Sequence, residues 1–303
     1  VLYNHSSLID LLSRETKPVF CLANNHSLDL PDNFRATINF FNNKGINYCG
    51  AGFSYEEARN PVIFYDGSVK IALYNACWDF LLYNHRNPTK GVYVSFIEES
   101  KLLYDIELRK KNEPETFIIV FLHWGLDLEV LPFPLHREFA RALIDAGAII
   151  VVGSHSHCIQ GGEKYKNGYI IYGLGNFFVP NNHFAKGKVK YPEFAHYEIV
   201  LEWNPINNSA KCYWFKYHFD EIEHKLTYLK EENLINSVFF STVPDFKLLS
   251  NKEYISFFKK NRRKKFFVPV FKDYRKININ RIYTFVLKKR ARFARMLATF
   301  NLK

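Results

Sequence analysis

Four short polar clusters, Asn24-Asn25-His26, His123-Trp124-Gly125, His155-Ser156-His157 and Gly175-Asn176, each follow an apolar run of strand character. The runs are 19–23, 117–122, 149–152 and 169–172. Strand ends on one edge of a sheet lie side by side, so residues far apart in the chain can converge there. Open α/β sheets bind ligands at the carboxyl ends of their strands, and imidazoles with amide oxygens at such ends are metal-ligand chemistry.

Each cluster alone is ambiguous. His155 and His157 lie two residues apart, and in an extended segment such positions point the same way, so both rings can face one cavity. A lone His-x-His is also compatible with two solvent histidines on a loop. His123 beside the bulky Trp124 could be a core histidine, and Asn24-Asn25 could be a turn, since Asn tolerates left-handed geometry. Taken together, the clusters point to a metal site.

Strand and helix alternate from residue 17 to about 176. A helix is predicted over 32–43, with Phe34, Ile38 and Phe41 on one face and Gly45 as its stop. Ser54 and Glu57 have capping-box spacing for a short helix after Gly50-Ala51-Gly52. The runs 61–65 and 69–74 flank Asp66-Gly67, a strong hairpin signal. Helices are predicted over 95–111 and 134–147, and antiparallel strands over 197–203 and 211–218. The sum is an α/β fold of mixed sheets flanked by helices.

Composition limits the partners. The net charge is +11, yet 16 lysines and arginines against the single acid Asp273 fall in 259–303, leaving 25 basic and 29 acidic groups before them. The basicity belongs to the tail, so nucleic-acid binding by the whole chain is not expected. The five cysteines are scattered, and Cys21, Cys77 and Cys212 sit in strand-like runs. They read as buried thiols of a reducing compartment, not as a disulfide framework. No stretch approaches the roughly 20 apolar residues that span a bilayer.

Across residues 15–180 the ordered motifs resemble the CapA-like family (poly-γ-glutamate capsule biosynthesis proteins), a branch of the calcineurin-like metallophosphoesterases. The pieces are Leu22-Ala23-Asn24-Asn25-His26 with Asp29, Gly50-Ala51-Gly52 with Glu57-Ala58, and His123-Trp124-Gly125. Leu143-Ile144-Asp145-Ala146-Gly147-Ala148, the segment from Gly153 to His157, and Tyr172-Gly173-Leu174-Gly175-Asn176-Phe177 complete them. The resemblance implies a calcineurin-like sandwich of mixed sheets. By it, Asn25, His123 and His155 would hold one metal, His157 would belong to a second, and His26 would be the catalytic acid. Asn24, Asp29, Asp127 and Asn176 would face the substrate. Two divalent ions (Mn, Zn, Fe or Mg, not distinguished by these donors) would clamp the oxyanion of a tetrahedral transition state.

Two departures from the family stand out. Its opening strand ending in Gly-Asp, and a later Asn-Leu-Glu, have no counterpart here. Either the chain starts after the N-terminal strand or strands that would supply those acids, which Val1 at position one favours, or it is a degenerate member. Asp127 also stands where the family has Glu, with Glu129 as a possible substitute. The expected function is a metal-dependent hydrolase of capsule or exopolymer production, acting on a phosphoester or an amide-linked anionic polymer. The alternative is a non-catalytic protein that binds, exports or anchors such a polymer on the same fold.

Residues 1–222 are read as the domain and 223–303 as a basic, aromatic-rich, mostly helical extension. Lys259 opens a run of six cations in seven positions. Residues 281–300 read as a helix whose apolar stripe gathers Ile282, Phe285, Val286, Phe293, Met296, Leu297 and Phe300, with Lys289 inside it. Docked on the body, this stripe would be hidden; left open, it suits an anionic membrane surface or an acidic polymer. The expected location is cytoplasmic or peripheral to the inner face of the membrane.

Overall fold

The computed structural model describes residues 7–79, 91–181, 190–219, 223–234, 246, 248–264 and 268–299. A short helix α1 (Ser7–Leu12) precedes β1 (Val19–Cys21), which pairs in parallel with β2 (Asn47–Cys49) across helix α2 (Pro31–Lys44). Helix α2 buries Ile38 and Phe41, as its spacing predicts, and ends at Gly45, whose φ of 64° closes it with a left-handed residue. After β3 (Ala51–Gly52), helix α3 (Tyr55–Arg59) starts where Ser54 Oγ accepts the Glu57 N–H at 3.0 Å. The hairpin at Asp66-Gly67 joins β4 (Val62–Asp66) to β5 (Val69–Cys77), and β6 (Tyr93–Val94) pairs with β3.

Helix α4 (Glu99–Asn112) begins at Glu99, not at residue 95 as the pattern predicts. The Ser95 N–H donates to Gly50 O and the Ile97 N–H to Cys77 O, so this segment completes sheet contacts before it can turn helical. Then come β7 (Phe117–His123), α5 (Pro134–Asp145), β8 (Ala148–Ser154), β9 (Gly162–Tyr165) and β10 (Gly168–Ile171). The central sheet has the order β4-β5-β7-β8-β10-β9. Strands β5, β7, β8 and β10 are parallel, with antiparallel β4 and β9 at the edges. Their carboxyl ends therefore share one edge, and register sets His123 beside Ser154.

Strands β11 (Tyr197–Asn204), β12 (Ser209–Phe219) and β13 (His224–Asn233) form an antiparallel sheet, followed by helices α6 (Asn251–Asn261) and α7 (Ile277–Thr299). The chain is thus a mixed α/β fold of several sheets flanked by helices, as the sequence indicates. The segment from residue 223, expected to be mostly helical, opens with strand β13 hydrogen-bonded to β12. Its Tyr254, Phe258, Phe271 and Leu287 also join the core that contains Val120 and Val151.

The reason is polar anchoring. Arg137, fully buried on α5, donates to Leu249 O at 2.8 Å and Phe246 O at 3.3 Å, and its guanidinium lies 4.8 Å from the Tyr254 ring centre. Tyr254 OH donates to Pro132 O at 2.7 Å. The five cysteines are free thiols, four of them buried.

One side chain stitches the small β1–β2 sheet to the large one. Asn75, 4 % exposed on β5, accepts the Ala23 N–H through Oδ1 at 2.7 Å and donates through Nδ2 to Phe121 O at 2.9 Å. Gly50 passes so close at φ 86° that a Cβ there would collide with Asn75 Oδ1. Asn75→Ala leaves the buried Ala23 N–H without its acceptor and is expected to cost about 2 kcal/mol. Asn75→Asp keeps the acceptor but loses the donor to Phe121 O and buries a carboxyl beside that carbonyl, and is expected to cost at least as much. Urea unfolding checks this, as a fall in midpoint at constant slope in both variants.

Candidate metal centre

The four polar clusters do converge. Asn75 draws the loop after β1 toward the end of β7, where Asn25 Oδ1 stands 2.8 Å from His123 Nε2. Two ligands of one ion are separated by roughly 3 Å when metal–ligand bonds are near 2.1 Å. His123 Nδ1 lies 3.0 Å from Ser154 Oγ, which fixes the ring on its far side. The His123 and His155 ring centres are 4.8 Å apart, and those of His155 and His157 are 6.0 Å apart.

His155, His157 and Asp127 each offer a ligand atom, all within 4.8 Å of one another. Asp127 Oδ1 is 3.2 Å from His155 Nε2, with the Asp127 side chain 66 % exposed. Asp127, expected from the resemblance to face substrate, thus stands among the donors.

The route to this convergence differs from the predicted one. Strand β8 stops at Ser154, and His155 and His157 take φ of 89° and 54°. The rings meet because the backbone turns left-handed, not because an extended segment alternates. Leu128 (φ 58°) and Phe177 (φ 55°) share this geometry in the neighbouring loops. Non-glycine residues held there carry strain of order 1 kcal/mol or more, which tends to collect at functional sites.

Supporting residues hold the donors. Asn176 Oδ1 is 2.5 Å and Tyr191 OH 3.3 Å from His157 Nδ1, leaving Nε2 as the other ring nitrogen. A hydrogen bond to one ring nitrogen sets which one faces a metal. Glu198, 1 % exposed, accepts the backbone N–H groups of Asn176 and Phe177 and so fixes that loop. Burial pushes its carboxyl up to about 8, while those two N–H donors pull it back.

His26 is nearly half exposed, with its Nδ1 2.8 Å from Asp29 Oδ2. Asp29 does not cap α2, whose N-cap is Leu30 without a side-chain bond. Asn24 Oδ1 accepts the His26 N–H at 2.8 Å, so its amide shapes the turn.

Glu129 does not substitute for Asp127. It is buried and accepts the Arg263 and Lys264 N–H groups at 3.1 and 2.7 Å, tying the basic run to the loop that carries Asp127.

Ser154, Tyr191 and Glu198 escape the sequence reading. Glu198 had a signal, a charged residue at an inward position of a strand between Tyr197 and Ile199, whereas Tyr191 lies in a loop with none.

The donors fit a divalent ion. His155 Nδ1 is a buried ring atom without a hydrogen-bond partner among the described residues. Burial lowers His155 to about 4, against the opposing pull of Asp127, and lowers His123 well below the usual imidazole value. Both rings are therefore neutral at neutral pH, the form that ligates metals.

Comparison with known proteins identifies the family. Residues 1–181 match the family described as Bacterial capsule synthesis protein PGA_cap. The chain belongs to that family. It is 32% identical over 162 residues to the capsule biosynthesis protein CapA of Bacillus anthracis, covering 52% of this chain and 39% of that protein. It is 29% identical over 165 residues to the PGA biosynthesis protein CapA of Bacillus subtilis (strain 168), covering 51% and 40%. The match thus spans about two-fifths of the length of these relatives. A Staphylococcus aureus structure assigned as a 5′-nucleotidase, solved with α-ketoglutarate, is similar at 15% identity and a TM-score of 0.40, over 82% of this chain and 42% of that one. So low a score carries no argument.

Beneath the site, His136 is fully enclosed, stacked 4.6 Å from Trp124, and burial with nearby His155 lowers it to about 3. Its folded value lies below the unfolded value near 6.5. The stability this neutral ring contributes is therefore complete above about pH 6.5 and is lost as pH falls toward 3. Metal-free protein is expected to lose denaturant resistance over that window, by up to about 1.4 kcal/mol per unit of pKa difference. His136→Phe should flatten this pH dependence, as read by urea midpoints at several pH values.

Proposed function

We propose that the chain is a metal-dependent hydrolase of capsule polymer production. The observation that carries this is the meeting of Asn25, His123, His155, His157 and Asp127 at one sheet edge, with His155 and His157 on left-handed backbone. Asn25, His123 and His155 would hold one divalent ion, with His157 and Asp127 on the side of a second. Such an ion supplies an electrophile that stabilises negative charge developing on a phosphoryl or carbonyl oxygen.

The other roles fall to this chain's own groups. Asp29 accepts the His26 Nδ1–H, holding the exposed ring so that Nε2 can give a proton to the leaving oxygen or nitrogen. Asn176 and Glu198 hold His157 in place.

An anionic polymer suits the surroundings. Arg263 packs 4.1 Å from the centre of the Phe194 ring, and the Arg263-Lys264 backbone is tied to Glu129, in the loop that carries Asp127. The substrate is a phosphoester or an amide-linked anionic chain, the second in keeping with the names of the capsule relatives.

One observation favours a second reading, a polymer-binding protein without turnover. Among the described residues the cluster has a single carboxylate, Asp127, and it is largely exposed, which is little negative charge to hold two cations.

Metal analysis after dialysis against Mn²⁺ or Zn²⁺ is expected to find roughly one ion or more per chain. His123→Ala and His155→Ala should lower that content. His26→Gln should keep the metal yet slow hydrolysis of p-nitrophenyl phosphate or γ-glutamyl-p-nitroanilide by about 10²- to 10⁴-fold. Absence of bound metal overturns the hydrolase reading. Chelator-resistant retention of poly-γ-glutamate without hydrolysis selects the second.

A further inference from the structure

Helix α7 meets the body by a face about a third of a turn round from its most apolar one. Tyr283 packs edge-on against Phe271, ring centres 5.4 Å apart, and Leu287 is 2 % exposed. At 100° per residue the stripe of Ile279, Ile282, Phe285, Val286 and Phe293 is centred about 120° round the helix from that contact. All five are exposed, Ile282 at 61 % and Phe285 at 60 %. Arg281 and Arg290, both exposed, flank the stripe on opposite sides, and exposed Lys289 lies within it. The described part of this stripe is therefore not what docks the helix.

We propose that this face of α7 lies on an anionic lipid bilayer, with the aliphatic and aromatic side chains at the acyl boundary and the cations at the headgroups. Charge selects this occupant. From Lys259 onward the tail carries 16 basic residues against one acid, so a second copy stacked on the same stripe would bring like charges together. A purely acidic polymer would neutralise the cations but offer no apolar phase to the phenylalanines. An anionic membrane surface satisfies both halves of the helix. The contact is with a surface, since among the described residues no helix is long and apolar enough to cross a membrane. The inference is independent of whether the metal centre turns over.

The test is cosedimentation of the 303-residue chain with vesicles of phosphatidylcholine and phosphatidylglycerol in equal parts, against pure phosphatidylcholine. Binding is expected to the anionic vesicles alone and to weaken with salt. Ile282→Glu and Phe285→Glu should each lower it roughly tenfold. Both sites are exposed, so thermal unfolding should be unchanged, which separates lost binding from lost folding. A Phe285→Trp variant should show indole fluorescence quenched by brominated lipid in the anionic vesicles. Failure to bind anionic vesicles overturns the proposal. So does binding that survives both glutamate substitutions, because charge alone would then account for it. A chain dimer that these substitutions dissolve, without vesicle binding, assigns the stripe to a second copy instead.

Discussion

The site depends on one amide. Asn75 accepts from the β1 loop and donates to β7, joining a two-stranded sheet to a six-stranded one at the edge where their strands end. Together with the Ser95 N–H bond to Gly50 O, it holds the β1 loop where Asn25 meets His123. Buried in low dielectric, both hydrogen bonds of Asn75 are costly to leave unmade, and that asymmetry makes the joint specific. Gly50 completes it by having no side chain where the amide must sit.

Much of this was legible in the sequence because the relevant signals are local. Apolar runs place β1, β7, β8 and β10, and polar residues immediately after them mark the shared edge. The start of α4 was not legible, because residues 95–97 form sheet contacts with partners far away in the chain. The left-handed turns at His155 and His157 were not legible either, since His-x-His reads equally as an extended pair. Glu129 and Asp127 are two residues apart and look interchangeable on paper. Burial separates them, sending Glu129 to the backbone of the basic run and Asp127 to the histidines.

Helix α7 shows the same limit from another direction. Its amphipathic stripe can be read from spacing, but which face docks cannot. Leu287 and Tyr283 decide it, through contacts with a core whose shape the helix's own sequence does not contain. The tail is consequently anchored by a minor apolar face, by Arg137 and by Glu129, while its major apolar face looks outward.

A site assembled from four strand ends has a thermodynamic corollary. No fragment that lacks β1, β7 or β8 can present Asn25, His123 and His155 together, so an ion that needs all three recognises only the assembled domain. Its binding free energy then adds to folding by mass action, growing with the logarithm of ion concentration over dissociation constant. The joint made by Asn75 would be tightened from the outside whenever the ion is plentiful. The domain's resistance to unfolding would thereby register the metal supply of its surroundings.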